Sequence, residues 1–227
     1  MRKLLLTLLA SSPIANATSQ LISCGTDNST GSNSDFNLDD LPPEYKDTTN
    51  VEDRAQDANM KQIGEDLRSK TIVVYFSGSG NSERSATYLA EQLNLPIFRI
   101  ERKVDYPSNY SELSEQARVE AVNNQRPELK ETPDFINNYE HILLGFPVWW
   151  HVAPMVIGSF LEAYNFSGKH IHPFIQSSAY YRGHLLRSLK YLEDNSSQGT
   201  IIEKEVYSRN NLVINKWIND FFIPFDK

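Results

Sequence analysis

Ser77-Gly-Ser-Gly-Asn-Ser82 is the segment whose residue types and spacing can do chemistry. Hydroxyls, an amide and two glycines follow one another. Thr71–Phe76, β-branched and aromatic, reads as a strand before them. Ser82–Leu93 reads as an amphipathic helix after them, with Ala86, Leu89, Ala90 and Leu93 on one face. A strand, a tight loop and a helix N-terminus make an anion cradle, because backbone N–H groups and the positive helix end converge there. No Lys follows the glycines, which excludes the nucleotide-triphosphate loop. Gly78-x-Gly80-x-x-Glu83 lacks the third glycine of the dinucleotide fingerprint. The chemistry that fits is a phosphate monoester held without a salt bridge. Backbone amides from Gly78 to Ser82 are its expected donors, through Ser79, Gly80 and Asn81, with the hydroxyls of Ser77, Ser79 and Ser82. A serine-rich turn with no ligand is the alternative for this loop taken alone.

A second segment, His141-Ile-Leu-Leu-Gly-Phe-Pro-Val-Trp-Trp-His-Val-Ala-Pro154, is an apolar strand running into a loop. Pro147 and Pro154 fix its backbone on either side. Two adjacent tryptophans on a loop suit a flat ligand. On an extended loop Trp149 and Trp150 are expected to point in opposite directions, one to the ligand and one to the core.

Together the two segments resemble the flavodoxin family, whose members bind FMN. Ser77–Ser82 is similar to that family's phosphate loop, with Ser where Thr is usual at the third and sixth places. Gly145-Phe-Pro-Val-Trp-Trp150 resembles the second flavin loop of a subgroup, and Phe160–Phe174 resembles its next helix and strand. The resemblance covers roughly residues 71–220. It implies that Trp149 or Trp150 stacks on the isoalloxazine ring, and that backbone groups around Pro147 and Val148 approach its polar edge and the ribityl chain. The third loop departs from the pattern. The subgroup is glycine-rich there, and this chain has Ser177-Ser178-Ala179-Tyr180-Tyr181-Arg182-Gly183. Its amides can reach the pyrimidine edge, and Tyr180 or Tyr181 can form a second aromatic wall. The same bulk can instead fill the pocket. Arg182 is either a solvated charge or, near a flavin, a group that raises the potential.

Positioning these loops takes alternating elements. Strand candidates are Thr71–Phe76, Pro96–Ile100, His141–Phe146, Ile171–Gln176 and Thr200–Tyr207. Helix candidates are Ser82–Leu93, Tyr110–Asn123, Pro154–Tyr164, His184–Leu192 and Asn210–Phe221. Alternation implies an α/β, three-layer, doubly wound, five-stranded parallel sheet. The resemblance implies strand order 2-1-3-4-5, an order for which flavodoxin is itself the standard example, with ligand at the switch point between strands one and three.

The 227 residues favour one domain with appendages. A single cysteine, Cys24, excludes an intramolecular disulfide and a cysteine metal cluster. The five histidines show no metal-ligand spacing, and His170 and His172 are expected to face opposite sides of their strand. Met1–Ala10 is basic and then apolar, and Leu21-Ile-Ser-Cys24 resembles the lipobox of bacterial lipoproteins. The expectation is a signal peptide over 1–23, a lipidated Cys24 opening a polar tether over 24–70, and a flavodoxin-like domain over 71–227. A weak helix is expected within Val51–Leu67. A diacylated cysteine supplies the two chains that stable anchoring needs. Residues 25–70 hold eleven acids and five bases, so most of the net charge of −7 lies in the tether. No basic stripe suggests nucleic acid.

The expected function is FMN-based redox chemistry at the extracytoplasmic face of a bacterial membrane. The chain would be either an electron carrier or an FMN-dependent reductase of quinones or small acceptors, with a redox protein or quinone as partner. No triad, paired carboxylates or metal set marks a catalytic residue. The competing expectation is a surface lipoprotein that uses the same scaffold to bind without flavin.

Overall fold

The computed structural model describes residues 59–177 and 182–226. The signal segment, Cys24 and the tether to residue 58 lie outside these residues, as do Ser178, Ala179, Tyr180 and Tyr181.

Apolar runs rich in β-branched and aromatic residues become the strands β1 (Thr71–Tyr75), β2 (Ile97–Arg99), β3 (His141–Pro147) and β4 (His170–Gln176). They are buried on both faces in β1, in most of β3 and in the middle of β4, and on one face only in the edge strand β2. All pair in parallel in the order β2-β1-β3-β4, and the fifth position follows β4. Gly145 stands mid-strand in β3 because the ring of Phe174 on β4 occupies the space a side chain would need. The order 2-1-3-4-5 is the doubly wound arrangement.

The fifth position is two short pieces, β5 (Ile201–Ile202) beside the start of β4 and β6 (Val206–Tyr207) beside its end. One strand over Thr200–Tyr207 was the expectation. The ladder breaks because the Lys204 carbonyl turns away to accept Trp217 Nε1 at 2.7 Å. Glu203 meets His170 Nδ1 at 2.6 Å in the same break.

Helices cover both faces. Before β1 lies α1 (Glu65–Ser69), and after it come α2 (Asn81–Leu93), α3 (Tyr110–Val122), α4 (Met155–Ala163), α5 (Arg182–Asn195) and α6 (Asn211–Trp217). Asn109 caps α3 through the amides of Ser111 and Glu112, and Asn210 caps α6 through that of Val213. Ile72 and Val74 face Val156, Phe160 and Leu186 on the layer of α4 and α5. Val73 and Tyr75 face Ala86, Leu89 and Trp217 on the layer of α2 and α6. The helix expected over Asn210–Phe221 ends at Trp217 and continues as a π turn, Ile218–Phe222, then a 3-10 turn, Ile223–Phe225. The wider turn keeps both Ile218 and Phe222 in the core.

Upstream of β1, Ile63 and Leu67 are buried beside Trp217 and Phe222. Of the weak helix expected within Val51–Leu67, residues 59–64 are not helical and α1 begins at Glu65. The C-terminal turns clasp this segment. Gly64 N donates to Asp226 Oδ2 at 2.7 Å, Lys61 N to Asn219 Oδ1 at 2.8 Å, and Asn219 Nδ2 to the Asn59 carbonyl at 2.8 Å.

The histidine expectation is corrected. Residues two apart on a strand share a face, and His170 and His172 both join His141 under Phe222 and Phe225 at the N-terminal edge of the sheet.

Candidate functional site

β1 delivers its chain to the C-terminal edge of the sheet, where Phe76 N donates to the Gly145 carbonyl at 2.9 Å. Ser77 is buried, and its Oγ accepts the Gly80 amide at 3.0 Å. That bond folds the loop back on itself, so the Gly80 amide is engaged within the loop rather than offered outward. Gly80 then opens α2 from the left-handed region at φ 84°, which glycine adopts without strain. No side chain caps α2. Ser82, one residue inside, is 1% exposed and its Oγ has no hydrogen-bond partner. A buried hydroxyl left unpaired costs about 1–3 kcal/mol. A phosphate oxygen at this helix end is an acceptor of the kind that hydroxyl lacks, so the loop fits the group. Ser79 and Asn81 are exposed and hydrogen-bond weakly to each other at 3.4 Å.

Cations stand closer to the loop than the sequence suggested. Arg99, paired in register with Tyr75, donates to the Ser77 carbonyl at 3.4 Å and meets Glu83 at 3.6 Å. Arg84 Nη2 donates to Asn81 Oδ1 at 2.5 Å. Both are engaged by neighbours, and parallel pairing of β2 with β1 is the signal that would have found Arg99.

The loop after β3 meets the first loop directly. A side chain on Gly78 would lie 2.6 Å from Trp149 Cζ2, so the indole lies against the glycine. Trp149 also stands edge-on to Phe76 and Tyr106, with ring centroids 5.2 and 5.0 Å away. Trp149 is thus the tryptophan that packs on the core. Trp150 turns to α3, where its Nε1 donates to the Ser114 carbonyl at 2.7 Å. The loop is not extended. Trp149 and Val152 exchange backbone hydrogen bonds at 2.9 and 3.2 Å, closing a two-residue turn. Trp150 and His151, its central residues, have φ 48° and 69°. Pro147 ends β3, and Val148 N donates to the Gln176 carbonyl at 2.7 Å, which ties the second loop to β4.

Behind Trp149 a polar set gathers on the buried carboxylate of Glu120. Tyr106 donates to Glu120 at 2.7 Å, Arg102 reaches the same carboxylate at 3.3 Å, and the Arg102 guanidinium sits 4.2 Å over the Tyr106 ring. Burial first, then the bond to Glu120, raises the Tyr106 pKa far above its ordinary value. It is a wall and a hydrogen-bond donor, not an acid.

The third loop is described at its ends. The Ser177 carbonyl accepts the Tyr207 hydroxyl. Arg182 and Gly183 open α5, both half-buried. Gln176 Nε2 donates to Ser85 Oγ at 2.9 Å and to the Ser208 carbonyl, linking β4 to α2. Sequence reasoning missed one contact here. His184, in the first turn of α5, meets His151 of the second loop, Nε2 to Nδ1, with ring centroids 4.4 Å apart.

A cavity of about 650 Å³ lies on the other flank of α2, between Arg84, Tyr88, Glu91, Arg209 and Asn211. It touches the first loop at Gly80 and Asn81 but includes no residue of the tryptophan loop. The loops after β1 and β3 meet where Trp149 lies against Gly78, flanked by the ends of the third.

Residues 70–221 match the profile of a protein family described as flavodoxin. The chain is similar to the crystal structure of a provisionally named flavoprotein from Bacteroides uniformis, at 26% identity and TM-score 0.57, over 67% of this chain and 99% of that one. A second, from Bacteroides eggerthii, shares 26% identity at TM-score 0.58 over 66% and 96%. A flavoprotein from Lactobacillus acidophilus, crystallised with FMN, shares the fold at 20% identity and TM-score 0.50 over 60% and 91%. No curated protein matches significantly.

Proposed function

This chain belongs to the flavodoxin family, and on that premise we propose that it is an FMN-binding redox protein. The observation that carries the proposal is Ser82 Oγ, buried and unpaired beside an uncapped helix N-terminus. FMN would supply one- or two-electron transfer, and the protein sets access and potential. The amides of Asn81 and Ser82 and the Ser82 hydroxyl hold the phosphate, with the α2 dipole behind them. Gly78 leaves room for Trp149 to lie close over the loop. Val148, Trp149 and Trp150 bring backbone groups and indole surface to the flavin, and Ser177 and Gly183 frame the third side. The relative from Lactobacillus acidophilus, with FMN bound on the same fold, supports this choice of ligand.

The reading extends to place and partner. Leu21-Ile-Ser-Cys24 supports lipidation of Cys24 and an extracytoplasmic membrane anchor. A tether ending before the docked segment that begins at residue 59, shorter than the 24–70 expected from the sequence because Ile63 and Leu67 are buried in the core, would let the domain reach membrane-bound quinols or other redox proteins. It works there as an electron carrier or as a reductase of a small acceptor.

Titration of the purified chain with FMN, followed by flavin absorbance and tryptophan quenching, tests the proposal. Wild type binds. Ser79→Asp sets a carboxylate against the phosphate and lowers affinity roughly hundredfold, about 2–3 kcal/mol, with the circular dichroism unchanged. Equal affinities would remove the phosphate from this loop. No binding by wild type would favour a flavin-free scaffold.

A further inference from the structure

The turn that carries Trp149 holds two bulky residues in a backbone region that favours glycine. Trp150 has φ 48° and His151 φ 69°. Strain of this kind costs on the order of 1–3 kcal/mol per residue and persists only where surroundings over-determine it. Two side-chain contacts do so here. Trp150 Nε1 is bonded to Ser114 on α3, and His151 is bonded ring to ring with His184 on α5. The strained residues are themselves the anchors.

We propose that His151 and His184 are positioning residues for the cofactor, forming an imidazole latch that holds the tryptophan turn in its FMN-receptive shape and opens when both rings are protonated. The ligand in this inference rests on the flavin reading above, whereas the latch belongs to the protein alone. An N···N contact between two imidazoles needs one ring to donate and the other to accept. The neutral pair and the singly protonated pair both meet that requirement. With both rings protonated, two donors and two positive charges face each other, and the contact fails.

The surroundings set where this happens. Burial first, then the charges of His151 across the contact and Arg187 one turn along α5, holds the His184 pKa down at about 4. A depressed histidine pKa means that the latched form binds fewer protons than the released form. The latch is therefore intact at neutral pH and is lost as pH falls from about 6.5 toward 4. The second pKa of a phosphate monoester, about 6, lies higher, so the two titrations separate.

The test uses the tryptophan emission of the FMN-free chain from pH 7.5 to 4, with FMN affinity measured in parallel. His184→Phe keeps a ring but cannot bond, and His151→Gly relieves the backbone strain. Wild-type emission shifts with a midpoint between pH 4 and 5. His184→Phe shows the released emission already at pH 7.5 and binds FMN about tenfold more weakly, and adding His151→Gly restores most of that loss. Any affinity change near pH 6 is common to all variants and belongs to the phosphate. Superimposable emission curves for wild type and His184→Phe would overturn the latch, as would a His184→Phe affinity equal to wild type. If wild type binds no FMN, the flavin reading fails while the emission curves still judge the latch. If His184→Phe does not fold, His151→Gly alone decides. A binding curve parallel to wild type below pH 6 sinks the proposal, and loss of the acid step supports it.

Discussion

The sheet carries a histidine cluster at each end, and the two are built in opposite ways. At the N-terminal edge, His141, His170 and His172 stand on the opening residues of β3 and β4, locked in register by the ladder. His172 is 1% exposed, its Nε2 lies 3.1 Å from His141 Nδ1, and Phe222 and Phe225 close over the rings edge-on. At the C-terminal edge, His151 and His184 are half-buried, and one of them sits on a turn in left-handed backbone. The same side chain serves stability where the backbone is regular and position where the backbone is strained. Placement, not residue type, separates the two roles.

Three perturbations break or sharpen that contrast. The largest is Trp217→Ala on the base side. It empties a fully buried site and orphans the Lys204 carbonyl, and should cost about 3–5 kcal/mol in urea unfolding. FMN affinity of the folded fraction should stay at wild-type level; a loss there would mean that the two ends are not independent.

Acid gives the second. Burial first, then His170 and Lys70, lowers the His141 pKa to about 4, and burial with both neighbours lowers that of His172 well below its ordinary value. The unfolded chain therefore binds more protons, so stability is complete above pH 6.5 and falls on the way to pH 4. The loss should be a few kcal/mol in wild type, read as a shift of urea midpoint between pH 7 and 4.5. A His141→Phe, His172→Leu double variant should flatten that profile and leave the acid step in tryptophan emission in place. If both steps vanish together, the clusters act as one.

The smallest effect is at the loop end. Trp150→Phe removes the bond to Ser114 and should cost about 1 kcal/mol, a Tm drop of about 2–4 °C in calorimetry. No change would mean that His151 alone holds the turn.

Most of the layered sheet was legible because its first strand is an unbroken apolar run and its first long helix carries its period openly. Thr71–Phe76 has only β-branched and aromatic residues, and Ala86, Leu89, Ala90 and Leu93 repeat at helical spacing. The first loop was legible too, since glycine and serine advertise tight turns. The second was not. Turns with two positive φ angles are signalled by Asn or Gly, and Trp150-His151 offers neither, because tertiary contacts rather than local preference impose the shape. His184 and Arg99 were hidden for a related reason. They reach the site through α5 packing and strand register, which no local window contains. The broken fifth strand depends on one carbonyl answering a tryptophan thirteen residues away.

The clasp between residues 59–64 and the C-terminal turns joins positions up to 162 apart in the chain. During synthesis the earlier partner leaves the ribosome long before the later one exists. Ile63 and Leu67 stay incompletely covered until Trp217 and Phe222 have been made. The clasp is thus expected to be the last part of the domain to close, and the interval before it closes is when a chaperone would find this protein.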